Sequence, residues 1–194
     1  RINQWKIIYN LSTKNIKSLL ERLDFNFDYY LGESDVISLL PDYIEKLKKK
    51  KLVKLDEGAL IANDKQDPPA LITKSDGSYM YLTTDIGTIL YREKFFKPDY
   101  YLYVVDQRQK NHFDQLFKLV KYFKLSKSIF AHIPFGTVNG KDGKPLKTRD
   151  GKNYKLTDLY DDLVNKLKLT ISDAETVSTL AKSVLTYSDL VTKR

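Results

Sequence analysis

Cysteine is absent from this chain of 194 residues, which excludes disulfides, thiolate nucleophiles and cysteine-based zinc sites together. Only two histidines occur, His112 and His132, too few for a histidine-rich metal centre. No apolar run approaches the roughly 20 residues that a bilayer-spanning helix needs. Glycine is scarce, at eight residues, and none of them forms a P-loop or a Gly-x-Gly-x-x-Gly fingerprint, so those two phosphate cradles are missing. Acid is in deficit, with 25 Asp and Glu against 33 Lys and Arg and a net charge of +8. That excess suits a polyanionic partner, nucleotide or nucleic acid. Part of it lies in Lys46–Lys51, where lysines closing a helical pattern complement the helix dipole. Methionine occurs once, at Met80, and the chain opens on Arg1 with no signal-peptide pattern; the expectation is a piece of a longer protein.

An apolar fraction of 42% fits one globular domain, or one with a small appendage. Arg1–Asn10 reads as an apolar lead-in. From Ser12, a capping candidate, Ile16, Leu19, Leu20 and Leu23 recur at helical spacing. Phe25–Ser34 is aromatic and without period, suggesting a strand that runs into a turn. Ser34 or Asp35 then caps a helix through about Lys50 with Val36, Leu40, Ile44 and Leu47 inward, its start delayed or kinked by Pro41. Ala70–Lys74 and Tyr79–Leu82 read as the arms of a hairpin about Asp76-Gly77. Thr83, Thr84 and Asp85 offer an N-cap ahead of Ile86, Ile89 and Leu90. Tyr100–Val105 is an unbroken apolar run of the kind covered on both faces in a parallel sheet. A helix with Phe113, Leu116, Phe117 and Val120 on one stripe follows, then a short strand at Ser128–His132, a βαβ spacing. Thr157 is placed to cap a helix carrying Leu159, Leu163 and Leu167. The Ser172-Asp-Ala-Glu175 capping box opens a last helix with Val177, Leu180, Ala181, Val184 and Leu185 inward.

Two groups of residues stand out chemically. Gln107, Arg108, Gln109, Lys110, His112 and Gln115 follow the Tyr100–Val105 strand and open a helix, where doubly wound sheets place their ligands. His112 lies off that helix's apolar stripe and reads equally as an exposed or capping residue. The second group, Lys141, Lys144, Lys147, Arg149 and Lys152, lies on a glycine-rich stretch. Such cations can close over phosphates and stabilise charge developing as a phosphorus–oxygen bond breaks; they can equally edge a solvated hairpin. Asp85, taken alone, reads as a helix-start acid complementing the dipole more readily than as a ligand group.

Phe27-Asp-Tyr-Tyr-Leu-Gly-Glu-Ser34, Thr73-Lys-Ser-Asp-Gly-Ser-Tyr-Met-Tyr-Leu-Thr-Thr-Asp85, Tyr103-Val-Val-Asp-Gln-Arg-Gln-Lys-Asn-His-Phe-Asp-Gln115 and Gly136–Asp158 come in an order and at separations that resemble the arginyl-tRNA synthetases. The closing Tyr187-Ser-Asp-Leu190 resembles a segment that follows their signature loop. The likeness covers nearly the whole chain. It implies a fold of class α/β, Rossmann-like, with a mostly parallel sheet and flanking helices, an inserted hairpin and a basic signature-loop hairpin. The implied division is 1–75 inserted and connective, 76–156 the second half of the nucleotide-binding sheet, and 157–194 helical, leading towards an anticodon-binding domain.

The resemblance also implies a reaction: L-arginine and ATP form arginyl-adenylate with release of pyrophosphate, and the arginyl group passes to tRNA(Arg). It implies Mg2+ accompanying ATP, no tightly bound cofactor, a monomeric parent, a cytoplasmic setting and no membrane. By position, Tyr81, Asp85 and Gln109 resemble the arginine pocket, and a carboxylate suits the planar donor fork of a guanidinium. His112 and Gln115 resemble positions near the nucleotide. Lys147 and Arg149, supported by Lys144, are the expected phosphate-side cations of a degenerate Lys-Met-Ser-Lys-Ser loop. Aligned on Arg149 and Gly151, its usual second lysine falls on Thr148. Thr84 stands where many relatives carry arginine. The His-x-Gly-His segment that holds ATP early in class I catalytic domains has no counterpart in this sequence, so the isolated chain is expected to be inactive. The other readings are a non-catalytic basic RNA-binding module sharing the fold and, less favoured, another nucleotidyl-transferring enzyme of the superfamily.

Overall fold

The computed structural model describes residues 2–64, 66, 68–136 and 155–191. The chain divides into two compact units, Leu31–Thr137 and a second one drawn from Arg1–Tyr30 with Val138–Arg194.

In the Leu31–Thr137 unit, 3-10 turns at Glu33–Asp35 and Ile37–Leu39 lead into helix α2, Leu40–Lys49. Pro41 sits in its first turn, where the missing N–H costs no hydrogen bond. Val36, Leu40, Ile44 and Leu47 are buried, as their spacing requires. Strands β1 (Val53–Asp56), β2 (Ala59–Ala62) and β3 (Leu71–Thr73) form an antiparallel sheet in that order. The β1–β2 reversal uses Glu57 at φ 45° and Gly58 at φ 81°, the two positive φ values of a tight hairpin turn.

The expected second hairpin is mostly absent. Its first arm is β3, but its second is one bridge, Thr73 to Tyr79, because helix α3, Tyr81–Phe95, begins there. The side-chain capping expected of Thr83, Thr84 and Asp85 is also not found. Met80 is the N-cap without a side-chain bond. Thr83 instead donates its hydroxyl to the Ile72 carbonyl at 2.5 Å, tying α3 to β3.

Strand β4 (Tyr100–Asp106), helix α4 (Lys110–Tyr122) and strand β5 (Ile129–Phe135) form the predicted βαβ unit. β4 and β5 pair in parallel from Tyr100 opposite Ile129 to Asp106 opposite Phe135. Among the described residues only one face of β4 is covered. Tyr101 is 3% exposed, whereas Tyr100, Leu102 and Val104 are each 61% exposed. An unbroken apolar run does not reveal which of its alternating faces has a neighbour. The core joins α2, β1 to β3, α3, β4 and α4, with Leu40, Ile72, Ile86, Ile89, Leu116 and Leu119 fully enclosed.

The other unit brings together α1 (Ile2–Arg22), α5 (Leu156–Leu167) and α6 (Ala174–Val191). The lead-in and the Ser12 cap are thus overturned: one helix runs through both. Leu23, Tyr160 and Ala181 form its buried seam, and Arg22 bonds Asp161 at 2.6 Å. Leu180 and Val184, expected inward, are 38% and 42% exposed; the seam rotates towards Val177 and Ala181. Caps shift as well. Asp173 accepts from the Thr176 N–H at 2.7 Å in place of Ser172, and α5 starts before Thr157, with Lys155 at the N-cap. Phe25–Tyr30 forms no strand.

Candidate active site at the α3–β4–α4 junction

Two helix starts and one strand end make this site. α3 opens at Tyr81, so Tyr81 and Asp85 stand one turn apart on the same side of the helix. The Tyr81 side chain is 74% exposed, and its carbonyl accepts from Thr84 Oγ1 at 2.9 Å. Thr84 is itself 7% exposed, a small side chain that fits this enclosed position where a cation would have to bury its charge.

Beyond β4 the backbone turns at Gln107–Gln109. Asp106 shapes this turn by accepting from the Arg108 N–H at 2.8 Å and from Arg108 Nε at 2.9 Å, while Nη2 reaches its second oxygen at 2.8 Å. That carboxylate holds the exposed Arg108 guanidinium above its usual range, first through the hydrogen bond and then through charge. Arg108 is therefore folded back on Asp106. Gln109, the N-cap residue of α4, is exposed and makes no side-chain hydrogen bond among the described residues.

His112 lies in the first turn of α4, and its Nε2 is 2.6 Å from Asp85 Oδ2. A carboxylate only accepts, so the imidazole nitrogen carries the hydrogen. The two side chains are 27% and 33% exposed. The ring also meets Phe113 edge-on, with centroids 5.1 Å apart. Gln115, one turn further along α4, is half-buried. Lys144, Lys147 and Arg149 lie outside the described residues.

The structure thus joins Asp85 directly to His112, sets Tyr81 above Asp85 on α3, and starts α4 at Gln109. Sequence reading did not find the inner wall. Tyr103 packs its ring 4.7 Å from Phe113, with the Arg92 guanidinium 5.8 Å from its centroid. Burial pushes the Tyr103 phenol up to about 12; the Arg92 cation opposes the rise and the Asp85 carboxylate adds to it. Its hydroxyl is buried with no well-formed hydrogen bond among the described residues, the Arg92 guanidinium approaching it as a weak donor. Nothing in the apolar run Tyr100–Val105 singles Tyr103 out. What the site offers chemically is a half-open carboxylate, an exposed phenol ring, an amide and a directed imidazole at the carboxyl end of a parallel strand.

Residues 2–189 match the family model described as tRNA synthetases class I (R), catalytic domain. This chain belongs to that family. An arginine--tRNA ligase of Agathobacter rectalis is 38% identical over 94% of the chain and 34% of its own length. One of Francisella tularensis is 35% identical over 96% of the chain and 33% of its length. The chain therefore spans about a third of the length of the curated relatives it matches. In fold it is similar to the crystal structure of arginyl-tRNA synthetase from Plasmodium falciparum, with a TM-score of 0.71 and 24% identity over 92% of this chain and 31% of that one. The resemblance read from the four motifs and the mixed α/β class are both borne out; of the expected parallel sheet, two strands are seen among the described residues. No helix among them is long and apolar enough to cross a membrane.

Proposed function

We propose that this chain is the arginine-selecting part of an arginine--tRNA ligase, and that β4 and β5 belong to the second half of its Rossmann-like sheet. The parent enzyme joins L-arginine to ATP and passes the arginyl group to tRNA(Arg) in the cytoplasm. The observation that carries this reading is the Asp85 carboxylate, fixed by His112 at the α3–α4 junction beside an exposed tyrosine. A guanidinium donates two parallel N–H bonds to one carboxylate, which an ammonium cannot do. Tyr81 supplies a ring face for the planar cation, and Gln109 an amide oxygen for a remaining donor.

With the side chain so held, the arginine α-carboxylate attacks the α-phosphorus of ATP. A carboxyl oxygen–phosphorus bond forms, the α–β bridging bond breaks, and pyrophosphate leaves with its electrons. Lys147 and Arg149, with Lys144, are the cations proposed to neutralise that developing charge. His112 and Gln115 are proposed on the nucleotide side. Mg2+ is expected with ATP in this family, but among the described residues no three His, Asp or Glu gather to hold it, and no step is assigned to it.

The test is arginine- and tRNA-dependent ATP–pyrophosphate exchange. The isolated chain is expected to show none, and robust exchange by it overturns that expectation. In the intact ligase, Asp85→Asn is expected to weaken arginine binding far more than ATP binding. Equal losses would sink the pocket assignment.

A further inference from the structure

We infer that His112 is a positioning residue for the arginine pocket: by donating Nε2–H to Asp85 Oδ2 it sets the rotation of the carboxylate that receives the guanidinium. This rests on the pocket reading above and extends it.

The geometry is specific. The two residues are 27 positions apart and on different helices, and their atoms stand 2.6 Å apart. An aspartate's terminal torsion is broad and roughly two-fold, so a carboxylate one-third exposed would otherwise turn freely. Bidentate capture of a planar fork needs the carboxylate plane turned into the plane of the guanidinium. A carboxylate has about four lone-pair sites, so the imidazole occupies one and leaves acceptor capacity on both oxygens. His112 is steadied in turn. Phe113, 4% exposed, meets its ring edge-on at 5.1 Å and stacks on His132 at 5.4 Å. The carboxylate's orientation is thereby fixed from the core through one imidazole.

His112 also stands, by resemblance, near the nucleotide, and the two roles separate experimentally. In the arginine--tRNA ligase that contains this chain, arginine and ATP affinities are measured by titration and as KM values in pyrophosphate exchange. The variants are His112→Ala, His112→Gln, His112→Phe and Asp85→Asn, with His112→Ala also placed in the Asp85→Asn background. Losing one hydrogen bond to a charged group corresponds to about tenfold in affinity. His112→Ala is therefore expected to weaken arginine about tenfold and ATP much less. His112→Phe, which keeps the ring against Phe113 but has no donor, should match it, and guards against a folding artefact in the alanine variant. His112→Gln, whose amide can still donate, should recover most of the loss. In the Asp85→Asn background His112→Ala should cost little further. Arginine binding unchanged in both His112→Ala and His112→Phe, or a full additive loss in the double variant, overturns the inference while leaving the pocket intact. If Asp85→Asn itself spares arginine, the pocket reading fails first.

Discussion

Tyr103 and His132 face each other across the parallel β4–β5 pair, and each buries a polar atom, the phenol oxygen and Nε2, without a well-formed hydrogen bond among the described residues, the phenol meeting only a weak donor in Arg92. Both rings belong to the aromatic stack around Phe113. A buried polar atom left without a partner costs about 1–3 kcal/mol. Tyr103→Phe keeps the ring and deletes the poorly satisfied hydroxyl, so it is expected to leave the chain as stable or about 1 kcal/mol more stable. Urea unfolding checks this; a loss of 1 kcal/mol or more would mean that the hydroxyl has a partner after all.

Alkaline pH should find the same weakness. Burial raises the Tyr43 and Tyr103 phenols to about 12, and burial with the Glu93 hydrogen bond raises Tyr101 further. The unfolded chain gives up these protons near pH 10, before the folded chain does. Stability is thus full below pH 10 and falls as pH rises towards 12. A two-unit shift bounds the loss at about 2–3 kcal/mol for one phenol. Unfolding free energy measured from pH 8 to 11.5 should bend downward above 10, and the bend should shrink in Tyr43→Phe.

Helix ends offer a gain. Asp24, Lys51, Lys97 and Lys124 follow α1 to α4 at φ values from 47° to 58°, the left-handed position where glycine is favoured. At three of them the chain closes a full motif, with Phe25 N–H reaching Leu20 O at 2.9 Å, and Leu52 N–H reaching Leu47 O and Leu125 N–H reaching Val120 O, both at 3.0 Å. Lys51→Gly and Lys124→Gly are each expected to stabilise by roughly 0.5–1 kcal/mol, the relieved strain outweighing added freedom in the unfolded chain. Thermal unfolding of the two variants and their double would show it as additive rises in Tm.

The opposite holds in mid-helix. A Cβ on Gly87 would stand 3.1 Å from Leu40 Cδ2 and 3.3 Å from Val36 Cγ2. Both neighbours are enclosed, at 0% and 1% exposure, and cannot yield cheaply. Gly87→Ala gains about 1 kcal/mol of helix propensity but faces an overpacking cost of about 1–3 kcal/mol. A net destabilisation of about 1 kcal/mol is expected, and a chain stabilised by the change would show that α2 and α3 can part.

The βαβ unit was legible because each of its segments has one dominant pattern: an apolar run, a stripe at Phe113, Leu116 and Val120, and a second short run. α1 was half-hidden. Ile7, Ile8, Leu11 and Ile16 are all more than half exposed, so the first three turns show no buried stripe to read. The start of α3 is obscured because β-prone Tyr79–Leu82 straddle it and the helix begins without a side-chain cap. Asp85 and Gln109 stood out through motif order. The Asp85–His112 bond was beyond any local pattern, since only the packing of α3 on α4 brings them together.

The outward face of β4 has a practical consequence. Tyr100, Leu102 and Val104 alternate along one strand at 61% exposure, with Ile129 at 56% on its neighbour. Such a surface is expected to bind an amphiphilic dye while the chain is fully native. A bright signal from a hydrophobic probe is then expected of the native chain through that ribbon of side chains, and does not by itself mark a molten population.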